Sequence, residues 1–483
     1  MGQRIDSKPI PFVGPPEQRN LGTEDSRYVN VIFEPIANPL LQQKTVYCVK
    51  RPGTSSFSQP PGVAATGRGI HAWATTGSTY SVFGNSIFAG TSTLTSSMNT
   101  SSGRCWFVEI PRSTGQAQLV ISDGQDNYNI TSTGVITQID EADDADYPVS
   151  SLGSVVYLDG YLFQGASTGR IYNTVLNGVS TWNAADFLTA DTHAGALEAI
   201  YIQKDQIAAF TKNRIEFFFN NGNPTGSPLL RIDQNTMGIG LASRESLAWS
   251  GETACFVGEN AGDGDGGRAV YIMQSLSKVR DISTPAINRV LQNEGISISS
   301  CTAWMERASG QLVYCLNLAV ANRSFVYGVD SGMWSEWADN QAGSNFFRFH
   351  GIAATSINAS TFVQSDDGRI YQLTPDSPSD RAGVSSIGNF IVSLQTSRMN
   401  WGTPLRKHEP SLSIVGDSTF SELLVYVNDD DATTTYTQVG AIDMTQPQKR
   451  ITRLGGFYDR AHRFEYQAAS TFRVQAWQPE ITK

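Results

Sequence analysis

The chain has 483 residues and a formal net charge of −10, with 40% hydrophobic and only 17% charged side chains. Charged residues make up about 25% of an average globular domain. Here Ser, Thr, Asn and Gly take their place, which favours strands and turns over helices. The acidic charge and the lack of a visible basic patch argue against stable, sequence-specific DNA binding, although DNA can slide past an acidic surface without being held.

The first 62 residues are predicted to form an extended N-terminal arm. Four prolines between residues 9 and 16 forbid regular structure at its start. Two strand-like runs follow at residues 28–33 and 45–49, and Arg51-Pro52-Gly53 is typical of a turn. No run approaches the roughly 20 apolar residues of a membrane span, and no signal peptide is visible, so we expect no membrane contact.

A repeated hairpin dominates residues 63–376. Its clearest copies end in Gly-Arg-Ile-Tyr at residues 169–172 and 368–371, and looser copies close on aromatic residues 40 to 56 positions apart. A four-stranded propeller blade needs roughly 40–50 residues, and repetition at that period is the sequence signature of a radial array. The repeat therefore predicts an all-β fold with a β-propeller of six or seven blades.

One short surface helix is predicted within residues 281–295. Thr284 suits the N-cap, Pro285 suits the first turn, and three aliphatic side chains then share one face.

The C-terminal region of the sequence, from residue 377 onward, predicts a second β domain. Residues 377–388 form a linker rich in Ser, Pro, Asp and Gly, and alternating strand patterns return over residues 389–483. We interpret this region as a β-sandwich-like domain, and we expect the two ends of the chain to fold together in it.

The sequence offers no recognisable catalytic or metal site. The five cysteines lack Cys-x-x-Cys spacing, which predicts reduced, buried thiols, and the five histidines are dispersed. We interpret a calcium-like run at residues 262–267 as a hairpin tip. An Asp-box-like turn at residues 365–368 is interpreted as structural, with side chains that bind its own backbone. The prediction is no catalytic residue, no metal, no cofactor and no enzymatic activity.

Acidic and aromatic residues are the remaining candidates for function. The acidic ones fall in two runs: Glu141, Asp143, Asp144 and Asp146, and then Asp429, Asp430 and Asp431. A run of like charges is usually a solvated loop, although a glycosidase also needs two convergent carboxylates, which a linear sequence cannot display. The tryptophans are Trp304, Trp334, Trp337 and Trp401. Their pattern favours packing between blades over a sugar-binding groove.

Several short segments occur in a characteristic order along most of the chain. They are Tyr-Val-Asn at 28–30, Val-Lys-Arg-Pro-Gly at 49–53, Gly-Arg-Gly at 67–69 ahead of 80–85, Ser-Leu-Gly-Ser-Val at 151–155, Arg-Ile-Glu-Phe-Phe at 214–218, Gly-Ile-Gly at 238–240, Ala-Cys-Phe-Val at 254–257 and Arg-Leu-Gly-Gly at 453–456. This order resembles the packaged-DNA stabilisation proteins, also called tail hub or nozzle proteins, of short-tailed bacteriophages. None of these segments is catalytic, so the resemblance rests on order and spacing.

The resemblance implies a structural virion protein of a short phage tail, assembled in the host bacterial cytoplasm. Such proteins form a ring of six below the portal and its adaptor ring, and they meet tail fibre, spike or needle proteins. They retain the packaged genome, which leaves through a central channel, and the arm and C-terminal domain build a platform on the adaptor. We predict a neutral or acidic channel, with the two acidic runs as candidates for its lumen or rim, because a lysine-lined wall would hold DNA.

Two other classes of function stay open. A carbohydrate-binding or carbohydrate-active β-propeller needs a cluster of carboxylates at the funnel of the propeller, and glycan binding or turnover would reveal it. A propeller adhesin or interaction module that acts as a monomer is distinguished from a ring by its mass in solution.

Overall fold

A computed structural model describes residues 4–5, 8–12, 26–38, 43–58, 65–112, 116–190, 196–260, 267–275, 278–339, 346–375, 377–382, 388–430 and 435–482. Six strands precede the first blade: β1 (Arg4–Ile5), β2 (Ile10–Pro11), β3 (Arg27–Val29), β4 (Val31–Asn38), β5 (Gln43–Lys50) and β6 (Gly53–Ser58).

Six antiparallel sheets of consecutive strands form blades one to six. Blade one contains β7 (Gly67–Trp73), β8 (Ser78–Phe83), β9 (Ser86–Ala89) and β10 (Ser92–Thr95). Blade two contains β11 (Trp106–Ile110), β12 (Gln118–Ser122), β13 (Asn127–Thr131) and β14 (Ile136–Ile139). Blade three contains β15 (Ser151–Leu158), β16 (Tyr161–Ala166), β17 (Arg170–Thr174) and β18 (Trp182–Thr189).

Blade four contains β19 (Leu197–Gln203), β20 (Gln206–Thr211), β21 (Ile215–Asn220) and β22 (Leu229–Arg231). Blade five contains β23 (Ile239–Leu241), β24 (Ala248–Ser250), β25 (Thr253–Asn260), β26 (Arg268–Ser275) and β27 (Lys278–Asp281). Blade six contains β28 (Thr302–Ala308), β29 (Gln311–Leu318), β30 (Arg323–Gly328) and β31 (Met333–Asp339), with β32 (Phe347–Arg348) paired to β31.

A seventh sheet closes the ring. Its strands β33 (Gly351–Ile357), β34 (Ser360–Ser365) and β35 (Ile370–Thr374) follow blade six, and β6 from the N-terminal arm pairs with β35 as the fourth strand. The first strand of this sheet, β33, contacts both β28 and β7. The predicted all-β propeller of six or seven blades is confirmed.

The position of β6 differs from the predicted division at residue 62. This strand lies within the predicted arm, yet it belongs to the propeller. β6 and β35 are some 300 positions apart in the sequence, so no local sequence signal predicts their pairing. They become neighbours only when the propeller closes.

The repeated Gly-Arg-Ile-Tyr motif has a conformational cause. Gly169 and Gly368 have φ angles of 88° and 79°, in the left-handed region that glycine adopts without steric cost. They close the β16–β17 and β34–β35 hairpins, and the isoleucine two positions later, Ile171 or Ile370, is buried. The motif is therefore the sequence signal of a tight turn followed by a buried, inward-facing residue.

The predicted helix is confirmed as α1 (Pro285–Glu294). The Thr284 hydroxyl accepts a hydrogen bond from the Ile287 amide at 3.4 Å, which caps the first turn. Ile287 and Leu291 are buried on its inner face, and Gly295 ends the helix with a φ of 54°.

Strands from both ends of the chain form two further sheets, which together we call the terminal unit. Its C-terminal strands are β36 (Val392–Gln395), β37 (Lys407–Gly416), β38 (Glu422–Asn428), β39 (Thr437–Asp443), β40 (Arg450–Thr452), β41 (Gly456–Phe457), β42 (Ala461–Tyr466) and β43 (Arg473–Thr482). One sheet has the order β4-β5-β43-β37-β40, with β1 and β2 on β43 and β41 on β37. The other has the order β3-β36-β42-β38-β39.

A single hydrophobic core lies between these two sheets. Its side chains include Phe33, Leu412, Val425, Phe464 and Trp477, all nearly inaccessible to solvent. The second sheet also continues blade six, because β3 pairs in parallel with the outermost strand of that blade, β31. The terminal unit therefore extends outward from the propeller as one connected β structure.

Candidate functional site

The junction between the propeller and the terminal unit is built on Arg51, whose side chain is fully buried. Its guanidinium forms a two-point ion pair with Asp380, with distances of 2.9 Å from Nη1 to Oδ1 and 2.5 Å from Nη2 to Oδ2. Arg51 Nε donates to Asn30 Oδ1 at 2.8 Å, and the remaining N–H groups reach the Pro52 and Ala338 carbonyls. Every N–H group of this buried cation is thus hydrogen-bonded, as burial of a charge requires.

Aromatic rings enclose the same guanidinium. Its carbon lies 4.1 Å from the ring centroid of Phe390, 5.0 Å from Phe349 and 5.6 Å from Trp337. These rings come from the C-terminal segment, the start of blade seven and blade six. One side chain therefore connects four parts of the fold.

Asp339, His350 and Arg381 extend this arrangement towards blade seven. His350 Nδ1 lies 2.8 Å from Asp339 Oδ1, and its Nε2 lies 3.3 Å from Thr54 Oγ1 on β6. Arg381 Nη2 donates to Asp339 Oδ2 at 3.1 Å. Burial raises the pKa of Asp339, but His350 and the two arginines outweigh it and lower the pKa below its ordinary value. We call Arg51, Asp339, His350, Asp380 and Arg381 the junction cluster.

Three members of the junction cluster have the spacing of metal ligands. One potential ligand atom each from Asp339, His350 and Asp380 lies within 4.8 Å of the others. Both carboxylates already bind guanidinium groups, Asp380 that of Arg51 and Asp339 that of Arg381. With this charge compensation the donor set fits an ion-pair network better than a cation site.

The turn at residues 365–368 agrees with its prediction at Ser365, whose hydroxyl accepts a hydrogen bond from the Asp367 amide at 3.4 Å, but differs from it at the two carboxylates. Asp366 lies 3.5 Å from Arg348 and 3.3 Å from Arg381, and Asp367 accepts a hydrogen bond from the Tyr371 hydroxyl at 2.7 Å. Asp366 thus binds arginines of other segments, and Asp367 binds a tyrosine on the next strand of the same hairpin. Arg348 and Arg381 lie 18 and 15 positions from Asp366, outside the four-residue turn, so the local pattern did not indicate them.

The first acidic run forms the connection between β14 and β15. Asp144 is structural: it accepts hydrogen bonds from the backbone amides of Trp182 at 2.7 Å and Asp146 at 3.0 Å. The first of these contacts fixes the loop against the outer strand of blade three. The side chains of Glu141, Asp143 and Asp146 are exposed to solvent.

The second acidic run follows β38 in the terminal unit. Asp429 forms a two-point ion pair with Arg460, with both N–O distances at 2.7 Å, whereas Asp430 is exposed and Asp431 lies outside the described residues. The structure therefore separates the two runs, one on the propeller and one on the terminal unit. Whether either of them faces a channel stays a prediction, because a channel requires several copies of the chain.

A cavity of about 880 Å³ lies among β7, β11, β24, β28 and β33, at the centre of the propeller. In its wall the Arg104 guanidinium lies over Trp106 at 4.6 Å, and the rings of Trp106 and Trp249 stack at 5.3 Å. Glu306 also lines the cavity and accepts a hydrogen bond from Ser356 Oγ at 2.7 Å, and burial raises its pKa. The cavity thus combines aromatic, cationic and carboxyl groups.

The four predicted tryptophans are packing residues. Trp304, Trp334 and Trp337 are buried, and Trp304 and Trp337 share a core with blade seven. Trp401 packs edge-on against Trp477 at 6.2 Å in the terminal unit. The aromatic pair in the cavity wall, Trp106 and Trp249, carried no sequence signal that set it apart.

The cysteines agree with their prediction. All five are free and buried, and burial raises the pKa of each thiol. The calcium-like run at 262–267 lies almost wholly outside the described residues, between β25 and β26. Within the described part of the chain, no helix has the length and apolar character needed to cross a membrane.

Comparison with known proteins gives one family. A family model described as "Bacteriophage P22 Gp10, beta-propeller" matches residues 19–378. No curated protein sequence shows a significant match.

Similar solved structures include a streptogramin B lyase, with 12% identity, a TM-score of 0.40, and coverage of 68% of this chain and 97% of that chain. A virginiamycin B lyase from Staphylococcus aureus has 11% identity, a TM-score of 0.43, and coverage of 68% and 99%. The computationally designed Ika8 protein has 10% identity, a TM-score of 0.39, and coverage of 67% and 99%. None of these likenesses bears on function.

Proposed function

The chain belongs to the phage stabilisation family described by Bacteriophage P22 Gp10, a β-propeller family, and from this premise we propose that it is a ring-forming structural subunit of a short phage tail. Six copies dock below the portal-adaptor ring, retain the packaged DNA and form the conduit for its ejection. Tail fibre, spike or needle proteins attach to this ring, which is assembled in the host bacterial cytoplasm. The family match over residues 19–378 is the observation that carries the proposal.

The junction cluster supports a role in which the subunit transmits force. A subunit that connects an adaptor ring to a tail must transmit force between its parts without separating them. Arg51 holds the arm, the linker residue Asp380, blade six and the C-terminal segment together inside the protein. In this proposal the terminal unit is the platform on the adaptor, and the propeller is the peripheral part of the ring.

The charge of the chain supports passage of DNA without specific binding. Its formal net charge is −10, and Glu141, Asp143 and Asp146 extend into solvent. Repulsion of phosphates by such a surface keeps DNA from adhering to a wall. Retention of the genome is then steric, and no enzymatic step is involved.

Electron microscopy of purified tails, together with native mass spectrometry of the isolated protein, tests this proposal. The expected result is a ring of six copies of this chain between the adaptor and the distal tail proteins. A single copy per tail, or a ring composed of another protein, would exclude the conduit role.

The central cavity keeps a carbohydrate-binding propeller as a second candidate. Stacked indoles beside arginine and carboxyl groups are the type of surface that binds sugar rings. A glycan array probed with the intact protein and with a Trp249→Ala variant tests it. Glycan binding by the intact protein, together with loss of that binding in the Trp249→Ala variant, would favour this candidate over the tail subunit.

A further inference from the structure

One end of the terminal unit carries cationic and apolar side chains that are open to solvent. Leu405 and Tyr458 are each 63% exposed, and Arg406, His408 and Arg453 are exposed beside them. These residues converge because β37 pairs with β41, with Lys407 opposite Phe457 and His408 opposite Gly456. We call Leu405, Arg406, His408, Arg453 and Tyr458 the cationic end.

The cationic end is shaped by a glycine. A β-carbon at Gly456 would lie 3.1 Å from both Arg406 Nε and His408 Cε1, so these two side chains rest on the bare backbone. Among the residues that the structure describes, no carboxylate forms an ion pair with Arg406 or Arg453. Arg406 and Arg453 are thus two exposed cations without a carboxylate partner among the described residues, because the acidic residues at the same end, Asp429 and Asp459, pair with Arg460 and Arg398 instead.

The opposite end of the terminal unit exposes acidic and aromatic side chains. Phe420 is 93% exposed, and the exposed Glu422 and Asp443 lie directly opposite each other on β38 and β39. Their neighbours Leu423 and Ile442 are buried, so the two carboxylates both point away from the core. Like charges directly opposite on paired strands are destabilising. We call Phe420, Glu422 and Asp443 the acidic end.

Strand directions place the two ends apart. β37 begins at Lys407, beside the cationic end, and finishes at Gly416, four residues before Phe420. Its ten residues span roughly 30 Å at about 3.3 Å per residue. β38 gives the same polarity, because Asn428 pairs with Ala461 near Tyr458, whereas Glu422 is at its other end.

We propose that the cationic end of one terminal unit binds the acidic end of the next copy, in a head-to-tail contact that repeats around the ring. This inference rests on the proposed function, since it requires a ring. A heterologous contact of this kind generates a closed ring when its rotation closes. Exposed tyrosine, phenylalanine and arginine are characteristic of interface centres, and the neighbour's arginines place opposite charges beside Glu422 and Asp443.

A protein partner fits this surface better than DNA does. Contacts to phosphates need cationic and polar groups, but they give no reason to expose Leu405 on one surface and Phe420 on the other. A second copy supplies an apolar and an acidic group together. DNA binding by the cationic end is therefore one outcome of the test below.

Two charge-reversed variants test the contact. The first carries Arg406→Glu and Arg453→Glu, and the second carries Glu422→Lys and Asp443→Lys. Each variant alone has two ends of like charge, so we expect its self-association to be at least about tenfold weaker than that of the unmodified chain. An equimolar mixture has complementary ends again, and we expect it to restore rings in which the variants alternate.

Native mass spectrometry and sedimentation velocity over a series of protein and salt concentrations provide the measurement, with purified tails as a second sample. A control with Arg289→Glu and Arg307→Glu, two exposed propeller arginines, should assemble normally. Thermal denaturation should show all variants folded, because every changed side chain is exposed.

The outcomes separate this contact from the ring itself. Unmodified rings together with charge-reversed variants that assemble equally well would refute the contact and leave the ring intact. An unmodified chain that forms no ring in solution or in tails would refute both. Loss of binding to a short DNA duplex in the Arg406→Glu, Arg453→Glu variant, with assembly unchanged, would assign the cationic end to DNA instead.

Discussion

At the scale of single residues, buried charges decide how the two parts of this protein are joined. Arg51 and Asp380 are both almost inaccessible to solvent and are separated by 329 positions in the chain. Near β3, Glu336 accepts hydrogen bonds from both Arg27 and Arg323. Such pairs contribute little to stability in comparison with an apolar core, but the loss of one partner leaves an unpaired buried charge.

Replacement of Arg51 should therefore be severe. We expect Arg51→Ala to lower the free energy of unfolding by about 3–5 kcal/mol, because Asp380 stays buried without its cation. Chemical denaturation measures the change. Arg307→Ala, at a residue whose side chain is 63% exposed, should alter stability by no more than about 0.5 kcal/mol. Equal effects of the two substitutions would show that the junction cluster does not hold the fold together.

Glu336 should give the protein an acid-sensitive element. Burial raises the pKa of this carboxyl, but Arg27 and Arg323 outweigh it and lower the pKa from 4.5 to about 2. Because the folded-state pKa is depressed, the stabilisation that the ionised carboxylate contributes is present above pH 4.5 and is lost as the pH falls towards 2. Glu336→Gln should therefore destabilise the protein at pH 7 and flatten the pH dependence of its unfolding midpoint between pH 4.5 and 2. An unchanged dependence in the variant would place the acid sensitivity elsewhere.

At the scale of secondary-structure elements, β6 carries the closure of the propeller. It pairs with β35, and the linker that follows β35 lies against it, since Thr54 N donates to Ser379 O at 3.2 Å and Ser56 N to Ala382 O at 2.9 Å. The last blade is therefore completed by a strand from the beginning of the chain and covered by a segment beyond the propeller. Closure of the propeller and attachment of the terminal unit are therefore coupled.

A single methyl group at the start of β6 tests this coupling. In Gly53→Ala the β-carbon would lie 2.5 Å from the backbone oxygens of both Ser377 and Ser379, so the linker must move. We expect a loss of about 1–3 kcal/mol and faster amide hydrogen exchange in β6 and β35. Gly238→Ala is the matched control, because no atom lies within 4 Å of the added carbon. Slow exchange in β6 of the Gly53→Ala protein would show that the linker adapts without opening the blade.

At the scale of the whole molecule, two features stand out: the attachment of the terminal unit to one blade of the propeller, and the exposed acidic loop between β14 and β15. The terminal unit continues blade six outward through the β31–β3 pairing, so the chain consists of a propeller and a second β part joined to one of its blades. In the acidic loop between blades two and three, Asp144 binds backbone amides, while the side chains of its neighbours Glu141, Asp143 and Asp146 are exposed to solvent.

Charge reversal in this loop tests the predicted acidic channel. If the loop faces the lumen or its rim, Glu141→Lys, Asp143→Lys and Asp146→Lys together should slow genome release, and more so at low salt, where screening is weak. An ejection assay on virions provides the measurement, with Asp205→Lys and Glu252→Lys as an exposed control pair on blades four and five. Release that is unchanged at every salt concentration would remove this loop from the channel.

The sequence by itself determined the features that depend on neighbouring residues. Gly169 and Gly368 mark tight turns, Thr284 and Pro285 begin the helix, and the hairpin period predicts a propeller, because turn conformation, capping and strand alternation are local properties. Only the tertiary structure decided that β6 completes the last blade, that Arg51 meets Asp380, and that Asp144 supports a strand while Asp143 does not. The first two contacts depend on closure of the propeller, and the third depends on the packing of a loop against blade three; no local pattern relates the residues in any of them.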